Sequence, residues 1–362
     1  MYKKFDYTLL IATLLICTVG LFSVYSATRT FETNTHFTVQ LAAAGLGALL
    51  MLLVCFFDYE VLLPFAKYIF ILSVLILVLV LLLGMTGIWG SKSWIKIGPV
   101  AVQPSEFVKC TFIVTLSAHL TRLGEKINTF RGFSGLCVHL LGVVSLIMLQ
   151  PDFGTAVVFV FIFVVMVFCA GLSFKIIIPA VCGCGVLSPV VYYLLDDYQK
   201  NRIKVFLNPD LDPLGSGYNV ARAKLTLGSG EVFGRGYLEG LSTGTGYLPA
   251  KHTDFIFSAV GEELGFVGGV LIILLLFFLI IRSFKAAAKS DNLFGRYICM
   301  GVGANLLFHA VENIGMCMGL MPVTGIPLPF VSYGGSSLVS GFILIGMVLS
   351  VSCHTRGDRI FE

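Results

Sequence analysis

The sequence predicts an all-α polytopic membrane protein of about ten transmembrane helices, with one large extracellular loop. Three observations carry this expectation. Hydrophobic residues make up 57% of the 362 positions and charged residues only 12%, with a mean hydropathy of +0.93. The apolar residues fall in long runs, not in the short alternating segments of a membrane β-barrel. A spanning helix needs about 20 mostly apolar residues, so ten spans need roughly 200, which 57% of 362 supplies. In hydrocarbon every backbone amide must be satisfied within the protein, which favours helices. So little charge excludes a soluble fold of this length. The net charge of +4 is modest, and no nucleic-acid partner is expected.

Taken in order, the first span is Thr8 to Ala27, too long for a typical signal-peptide core. Phe37 to Phe57 is the second, with small residues Ala42, Ala43, Ala44, Gly45 and Gly47 that let helices approach closely. Tyr68 to Leu83 forms most of the third. A loop from Gly84 to Gln103 carries Trp89 and Trp94, and tryptophan favours the head-group layer. Pro104, a natural first-turn proline, opens the fourth span, which runs to Leu120. Spans five to seven are Phe133 to Leu149, Thr155 to Gly171 and Ile176 to Leu195. Residues 196–254 form the long polar loop, in which Tyr218 to Leu227 reads as an amphipathic helix on the membrane surface. Spans eight to ten are Phe255 to Ile281, Tyr297 to Met318 and Ser336 to Ser352. The whole chain reads as a single transmembrane domain.

Ten spans place both termini on one side. Lys3, Lys4, Lys67, Arg122, Lys126, Arg131, Lys175, Arg282, Lys285, Lys289, Arg296, Arg356 and Arg359 lie on that side. The short loops opposite carry only Arg29, Lys92 and Lys96. By the positive-inside rule both termini are cytoplasmic, and residues 196–254 face outward. The ten cysteines lie almost entirely in apolar runs. They predict neither a disulfide framework nor a zinc site.

The informative charges lie where charge is costly. Glu106 and Lys109 fall inside the fourth span, where each costs about 2.5–3.5 kcal/mol on insertion scales. Their i, i+3 spacing puts them on one face, where they can pair. They are read either as helix-packing glue or as the lining of a polar cavity. Asp254 closes the long loop at the membrane boundary and is read as a helix cap or as a chemical group. His252 reads as an interfacial polar contact. Glu262 and Glu263 are consecutive and face different directions. Asp152 follows Gln150-Pro151 in a tight turn. His309, Glu312 and Asn313 form a polar helix face suited to interhelical hydrogen bonds. Ser332-Tyr-Gly-Gly-Ser-Ser337 is a polar turn whose amides suit either an anion or a helix cap.

Four stretches together resemble the SEDS family, the shape, elongation, division and sporulation proteins that include RodA and FtsW. They are Trp94-Ile with Gln103-Pro-Ser-Glu-Phe-Val-Lys109, Gln150-Pro-Asp-Phe-Gly-Thr155, His252-Thr-Asp-Phe-Ile-Phe257 with Glu262-Glu-Leu-Gly265, and the unbroken run Asn313 to Ser337. Phe206-Leu-Asn-Pro209 and Gly217-Tyr-Asn219 look more like RodA than FtsW, whereas Arg222 stands where RodA commonly has glutamine. The resemblance implies a peptidoglycan glycosyltransferase acting in cell-wall elongation. It would polymerise lipid II, a disaccharide-pentapeptide on undecaprenyl diphosphate, into glycan strands at the outer face of the bacterial cytoplasmic membrane. Asp254 matches the family's essential aspartate, and Glu106 and Lys109 its buried pair.

Such a transfer needs a base for the incoming hydroxyl and positive charge for a diphosphate leaving group. Asp254 is the expected catalytic residue. Glu106, Lys109, Trp94, Asp152, His252, Glu262 and Ser336 are the expected substrate-contacting set. A divalent cation, Mg²⁺ or Mn²⁺, is compatible with this chemistry, and no organic cofactor is expected. Expected partners are lipid II, the nascent strand, membrane lipid, a class B penicillin-binding protein and the elongation machinery. The rival reading is a flippase for the same precursor, and a third is a scaffold that recruits cell-wall enzymes.

Overall fold

A computed structural model of the chain describes residues 5–354 except 32, 85–91, 99, 195–196, 209–210 and 213–214. Lys3, Lys4, Trp89, Leu195, Asp196, Pro209, Arg356 and Arg359, all used in the sequence reading, lie outside the described residues. Ten helices of 17 residues or more correspond one to one with the ten expected spans. They are α1 (Tyr7–Thr28), α2 (Thr35–Phe56), α3 (Leu62–Leu83), α4 (Pro104–Leu123), α5 (Phe130–Met148), α6 (Phe153–Cys169), α7 (Phe174–Leu194), α11 (Ile256–Lys289), α12 (Leu293–Met318) and α13 (Gly335–His354). Six are long and apolar enough to cross a membrane by length and composition alone, namely α1, α2, α3, α5, α11 and α13. Buried polar side chains punctuate α4 and α12.

The polar loop is more ordered than its composition suggests. It holds α8 (Asp197–Leu207), α9 (Ser216–Gly228) and the short α10 (Leu241–Thr245). The expected surface helix exists as α9, and it packs against α11 and α12. The expected loop from Gly84 to Gln103 instead contains an antiparallel hairpin of β1 (Ile95–Ile97) and β2 (Val100–Val102), with Ile95 opposite Val102. Its signal is the alternation of β-branched residues on either side of a Gly-Pro pair, as hairpins require.

At the centre α12 packs on α4, α6 and α11, while α2 lies against α13 and α1 against α11. The buried face of α12 carries Gly301, Gly303 and Ala304, small residues that let helices approach closely where no hydrophobic effect drives them together. Many large apolar side chains point outward, among them Leu82 and Leu72 on α3. Such a surface suits lipid, not water.

One feature of α11 sets the geometry of the loop. The helix breaks at Gly265, whose φ of 67° and ψ of −165° no helical residue adopts. The backbone groups freed there pair with the loop. Phe266 and Val267 donate their amides to Glu231 O (2.9 Å) and Val232 O (3.1 Å), and Arg235 and Gly236 donate to Glu262 O (3.0 Å) and Glu263 O (3.1 Å). Glycine is needed on both partners. A Cβ on Gly265 would lie 2.3 Å from the Gly234 amide nitrogen, and one on Gly234 would lie 2.2 Å from Glu263 O.

Candidate active site around Asp254

Asp254 lies in a tight turn that leads into α11. Thr253 and Phe255 both donate their amides to Ala250 O, at 3.1 and 3.2 Å, and close that turn. The N-cap residue of α11 is Phe255, and no side chain caps the helix. Of the two readings of Asp254, capping is therefore set aside.

The turn is stitched to the segment linking α12 and α13. Ser332 Oγ donates to Thr253 O (2.7 Å), and the Tyr333 amide donates to His252 O (2.8 Å). Asn313 of α12 spans the junction, its Nδ2 donating to Asp254 O (2.9 Å) and Ile326 O (2.8 Å). A Cβ added to Gly325, at φ +75°, would sit 3.7 Å from Asp254 Oδ2, so the linker passes directly over the carboxylate. Asp254 nevertheless keeps partial solvent exposure. The exposure is that of the residue as a whole, while its carboxylate is packed among protein groups. Burial pushes the carboxyl up to about 6, against the opposing pull of Arg202 on α8 and a hydrogen bond from Thr253. Arg202 also ties α8 to the linker, with Nη1 donating to Thr324 O at 3.2 Å. Thr324 Oγ1 in turn donates to Glu312 Oε1 (2.9 Å).

Beneath the linker lies the buried pair. Lys109 Nζ donates to Glu106 Oε1 at 2.8 Å, and the two side chains are 2% and 5% exposed. Ser340 Oγ donates to Glu106 Oε2 (3.2 Å). Lys109 Nζ also lies 3.0 Å from His309 Nε2, and His309 Nδ1 lies 3.1 Å from Pro327 O. An ammonium only donates and a carbonyl only accepts. His309 is therefore the neutral tautomer with the proton on Nδ1, relaying the pair on α4 to the linker above Asp254. The expected cavity lined by Glu106 and Lys109 is corrected here. Both are enclosed and hydrogen-bonded to protein, so they shape the site through His309, Ser340 and the linker instead of facing substrate. His309 and Asn313 make the cross-element hydrogen bonds expected of them.

The other expected contacts separate into groups. Asp152 caps α6, accepting from the Thr155 amide (3.1 Å) and from Gln103 Nε2 (3.1 Å). Burial pushes its carboxyl above the usual range. The Gln103 amide donates to Ser336 Oγ (3.1 Å), so Asp152, Gln103 and Ser336 join the starts of α4, α6 and α13. Trp94 is half-buried just before β1, where the Lys92 amide donates to Gln150 O (3.2 Å). The Ser332–Ser337 turn is occupied by protein, since Gln40 donates to Ser332 O (3.0 Å) and accepts from the Gly334 amide (3.0 Å). Glu262 is fully buried. It accepts from the Ser242 amide (2.8 Å), the Thr243 amide (3.0 Å) and Thr243 Oγ1 (2.8 Å), anchoring the start of α10. Its expected contact with substrate is thus corrected to a task inside the loop. Glu263, facing elsewhere, accepts from the Ser26 hydroxyl of α1.

His252 belongs to a ring cluster with Phe31, His36 and Tyr333. Ring centroids lie 5.3 Å (Phe31–His252), 5.2 Å (His36–His252), 5.0 Å (His36–Tyr333) and 5.5 Å (His252–Tyr333) apart. Burial, with His36 and Lys251 nearby, lowers the His252 imidazole to about 4, so it is neutral at physiological pH. Phe31 and His36 were not singled out from the sequence, whereas the loop arginines, Arg202 among them, were expected candidates for the diphosphate and Lys251 directly precedes the His252 motif. Only the fold gathers all four near Asp254.

Among the described residues no three His, Cys, Asp or Glu groups are placed to hold a metal ion. The Asp254 carboxylate is one protein group that could hold a cation, which fits an ion held mainly by substrate phosphate and water.

Fold and site define a multi-pass helical membrane protein with the desolvated Asp254 carboxylate in the turn that leads into α11 and a buried ion pair beneath the linker that packs on it. The chain belongs to the cell cycle protein family of FtsW, RodA and SpoVE, whose pattern it matches over residues 7–357. It is 39% identical to stage V sporulation protein E of Bacillus subtilis, over 97% of this chain and 98% of that one. It is 32% identical to peptidoglycan glycosyltransferase RodA of Treponema pallidum, over 97% and 98%. Among solved structures, a chain from a peptidoglycan synthase complex that coordinates polymerization and crosslinking superposes with a TM-score of 0.85 at 33% identity, over 98% of this chain and 99% of that one. Thermus thermophilus RodA does so with a TM-score of 0.74 at 30% identity, over 99% of each.

Proposed function

We propose that the chain is a peptidoglycan glycosyltransferase that polymerises lipid II at the outer face of the bacterial cytoplasmic membrane, with Asp254 as general base. The observation that carries this reading is Asp254 itself, a partly exposed residue whose carboxylate is desolvated by its surroundings and has its pKa raised to about 6. A base with a pKa near working pH combines availability with proton affinity.

In the reaction Asp254 takes the proton of the acceptor hydroxyl as that oxygen attacks the anomeric carbon of the donor. The new glycosidic bond forms while the bond from that carbon to the phosphate oxygen breaks, and the electron pair leaves on the diphosphate. Arg202, whose charge already acts on Asp254, is placed to offset the developing negative charge. A divalent cation, when bound, would supply further charge neutralisation at the phosphates, with Asp254 as its protein ligand. His252 joins the linker through its backbone carbonyl, and Asp152, Gln103 and Ser336 join the starts of α4, α6 and α13. The charge distribution of the sequence supports cytoplasmic termini and an outward Asp254. That the structural relative comes from a synthase complex that coordinates polymerization and crosslinking supports a transpeptidase partner, a class B penicillin-binding protein. A flippase for the same precursor gives no role to a tuned carboxylate at the bundle's end and is not favoured.

The test is polymerisation of purified lipid II by the purified protein with its partner. Wild type makes polymer, and Asp254→Asn and Asp254→Ala fold but make none. Full activity in Asp254→Asn would overturn the base assignment.

A further inference from the structure

The linker between α12 and α13 is sharply bent where it crosses the Asp254 turn. Phe330 holds φ at +64°, a backbone that a bulky side chain adopts only where its surroundings leave no alternative. Gly20 of α1 makes the room, since a Cβ there would lie 2.1 Å from Phe330 O. Two residues on, the chain is gripped from both sides. Toward the site, Ser332 Oγ donates to Thr253 O (2.7 Å) and the Tyr333 amide donates to His252 O (2.8 Å). Toward α2, Ser332 O accepts from Gln40 Nε2 (3.0 Å) and the Gly334 amide donates to Gln40 Oε1 (3.0 Å).

Gln40 is 1% exposed and Ser332 is 4% exposed. A side-chain amide both donates and accepts, and here each half meets a buried backbone group. Without it a carbonyl and an N–H of the linker stay buried and unpaired, which costs free energy. A Cβ on Gly335 would lie 3.6 Å from Ala43 and 3.9 Å from Val39, so α2 sits directly against the start of α13. Ser332 passes the grip on. Its Oγ also accepts from the Leu328 amide (2.8 Å), which closes the bend around Phe330. The series Gln40, Ser332, Thr253 therefore reaches from the interior of α2 to the residue before Asp254.

We propose that Gln40 is a positioning residue for the transfer reaction, a clamp on residues 332–334 that fixes where the Asp254 carboxylate stands. The inference rests on the glycosyltransferase reading with Asp254 as base. Gln40 acts through the linker backbone, where both its Nε2 and its Oε1 are engaged. Asn313 grips Asp254 O and Ile326 O, not residues 332–334, so it does not stand in for the clamp. A general base works only within hydrogen-bond reach of its proton, and a misplacement of about 1 Å can cost about 100-fold in rate. A clamp remote from the carboxylate thus governs turnover without touching substrate.

The test compares Gln40→Met, close in volume but unable to make these hydrogen bonds, with Gln40→Glu. A buried glutamate stays neutral and keeps one donor and one acceptor. The full chain with its partner polymerises lipid II across pH 5–8, and amide exchange is followed over residues 250–256. Gln40→Met should lower kcat at least about tenfold with KM unchanged and speed exchange in that turn. It should also move the acid limb of the rate profile to lower pH, because a loosened turn lets water reach the carboxylate. Gln40→Glu should recover most of the rate. Ser332→Ala breaks the same series one link on and should reproduce the Gln40→Met result, which keeps the test decisive if Gln40→Met does not fold. The combined variant should lose no more than either alone. Wild-type kcat and acid limb in the Met and Ala variants overturn the proposal. Equal losses in Gln40→Met and Gln40→Glu, or losses that multiply in the combined variant, overturn it too. Asp254→Asn separates the two readings. Polymer from Asp254→Asn would sink the base assignment, while faster exchange in Gln40→Met would leave the clamp on the turn standing.

Discussion

Lys109 and Glu106 meet at 2.8 Å one turn apart on α4, and Lys109 carries the contact onward to His309. Removing one member leaves the other charged and enclosed. Lys109→Ala should destabilise the protein by about 3–5 kcal/mol, read as a lower thermal midpoint in detergent, with activity lost. The double variant Glu106→Gln/Lys109→Met removes both charges at similar volume and should recover most of that stability without recovering full activity. If the double variant is as unstable as Lys109→Ala, the loss comes from packing and not from an uncompensated charge.

His309 joins that pair to the linker over Asp254. His309→Leu removes the Nδ1 donor to Pro327 O and the Nε2 acceptor for Lys109, at a cost of about 1–3 kcal/mol. The linker should loosen, with faster amide exchange over residues 324–333 and a lower polymerisation rate. Unchanged exchange there would sever the proposed link between α4 and the site.

Asp254 sets a pH dependence with two opposing signs. Its carboxyl is raised from 3.8 to about 6 in the folded protein. The base form is the active one, so polymerisation should fall about tenfold per pH unit below pH 6. The folded state takes up a proton between about pH 6 and 4 while the unfolded chain does not. This group's contribution therefore makes the fold more stable as pH falls through that window. Asp254→Asn should remove both dependences and melt no lower than wild type at pH 7. Rate measurements and thermal melts at pH 5, 6, 7 and 8 check the pair of signs together.

Glu262 fastens the loop to α11 by accepting three hydrogen bonds from Ser242 and Thr243. Glu262→Ala strands those donors and should cost at least about 2 kcal/mol. Limited proteolysis should then cut near residues 241–247 in the variant and not in wild type. Resistance equal to wild type would mean that the Gly265 pairing alone holds the loop.

That last pairing marks where reading the chain stops being sufficient. The ten spans were legible because a run of about 20 apolar residues has one stable arrangement in lipid. Pro104 and Asp152 stand at helix starts because one lacks an amide and the other accepts one. The hairpin at Ile95–Val102 was legible in the same local way and was passed over as loop. The break at Gly265 was not legible, since it depends on which backbone from residues 231–236 comes to lie beside it.

Composition and local pattern alone determined the class of protein, the number of spanning helices, and which charges stood where charge is costly, since each follows from transfer between water and hydrocarbon residue by residue. The tertiary structure decided what those charges do. It enclosed Glu106 and Lys109, turned Glu262 to the loop, desolvated the Asp254 carboxylate while leaving the residue partly exposed, and brought Lys251 and the ring cluster together from distant segments. Burial, hydrogen-bond partners and pKa belong to the packed neighbourhood of a side chain, and only the fold supplies that neighbourhood.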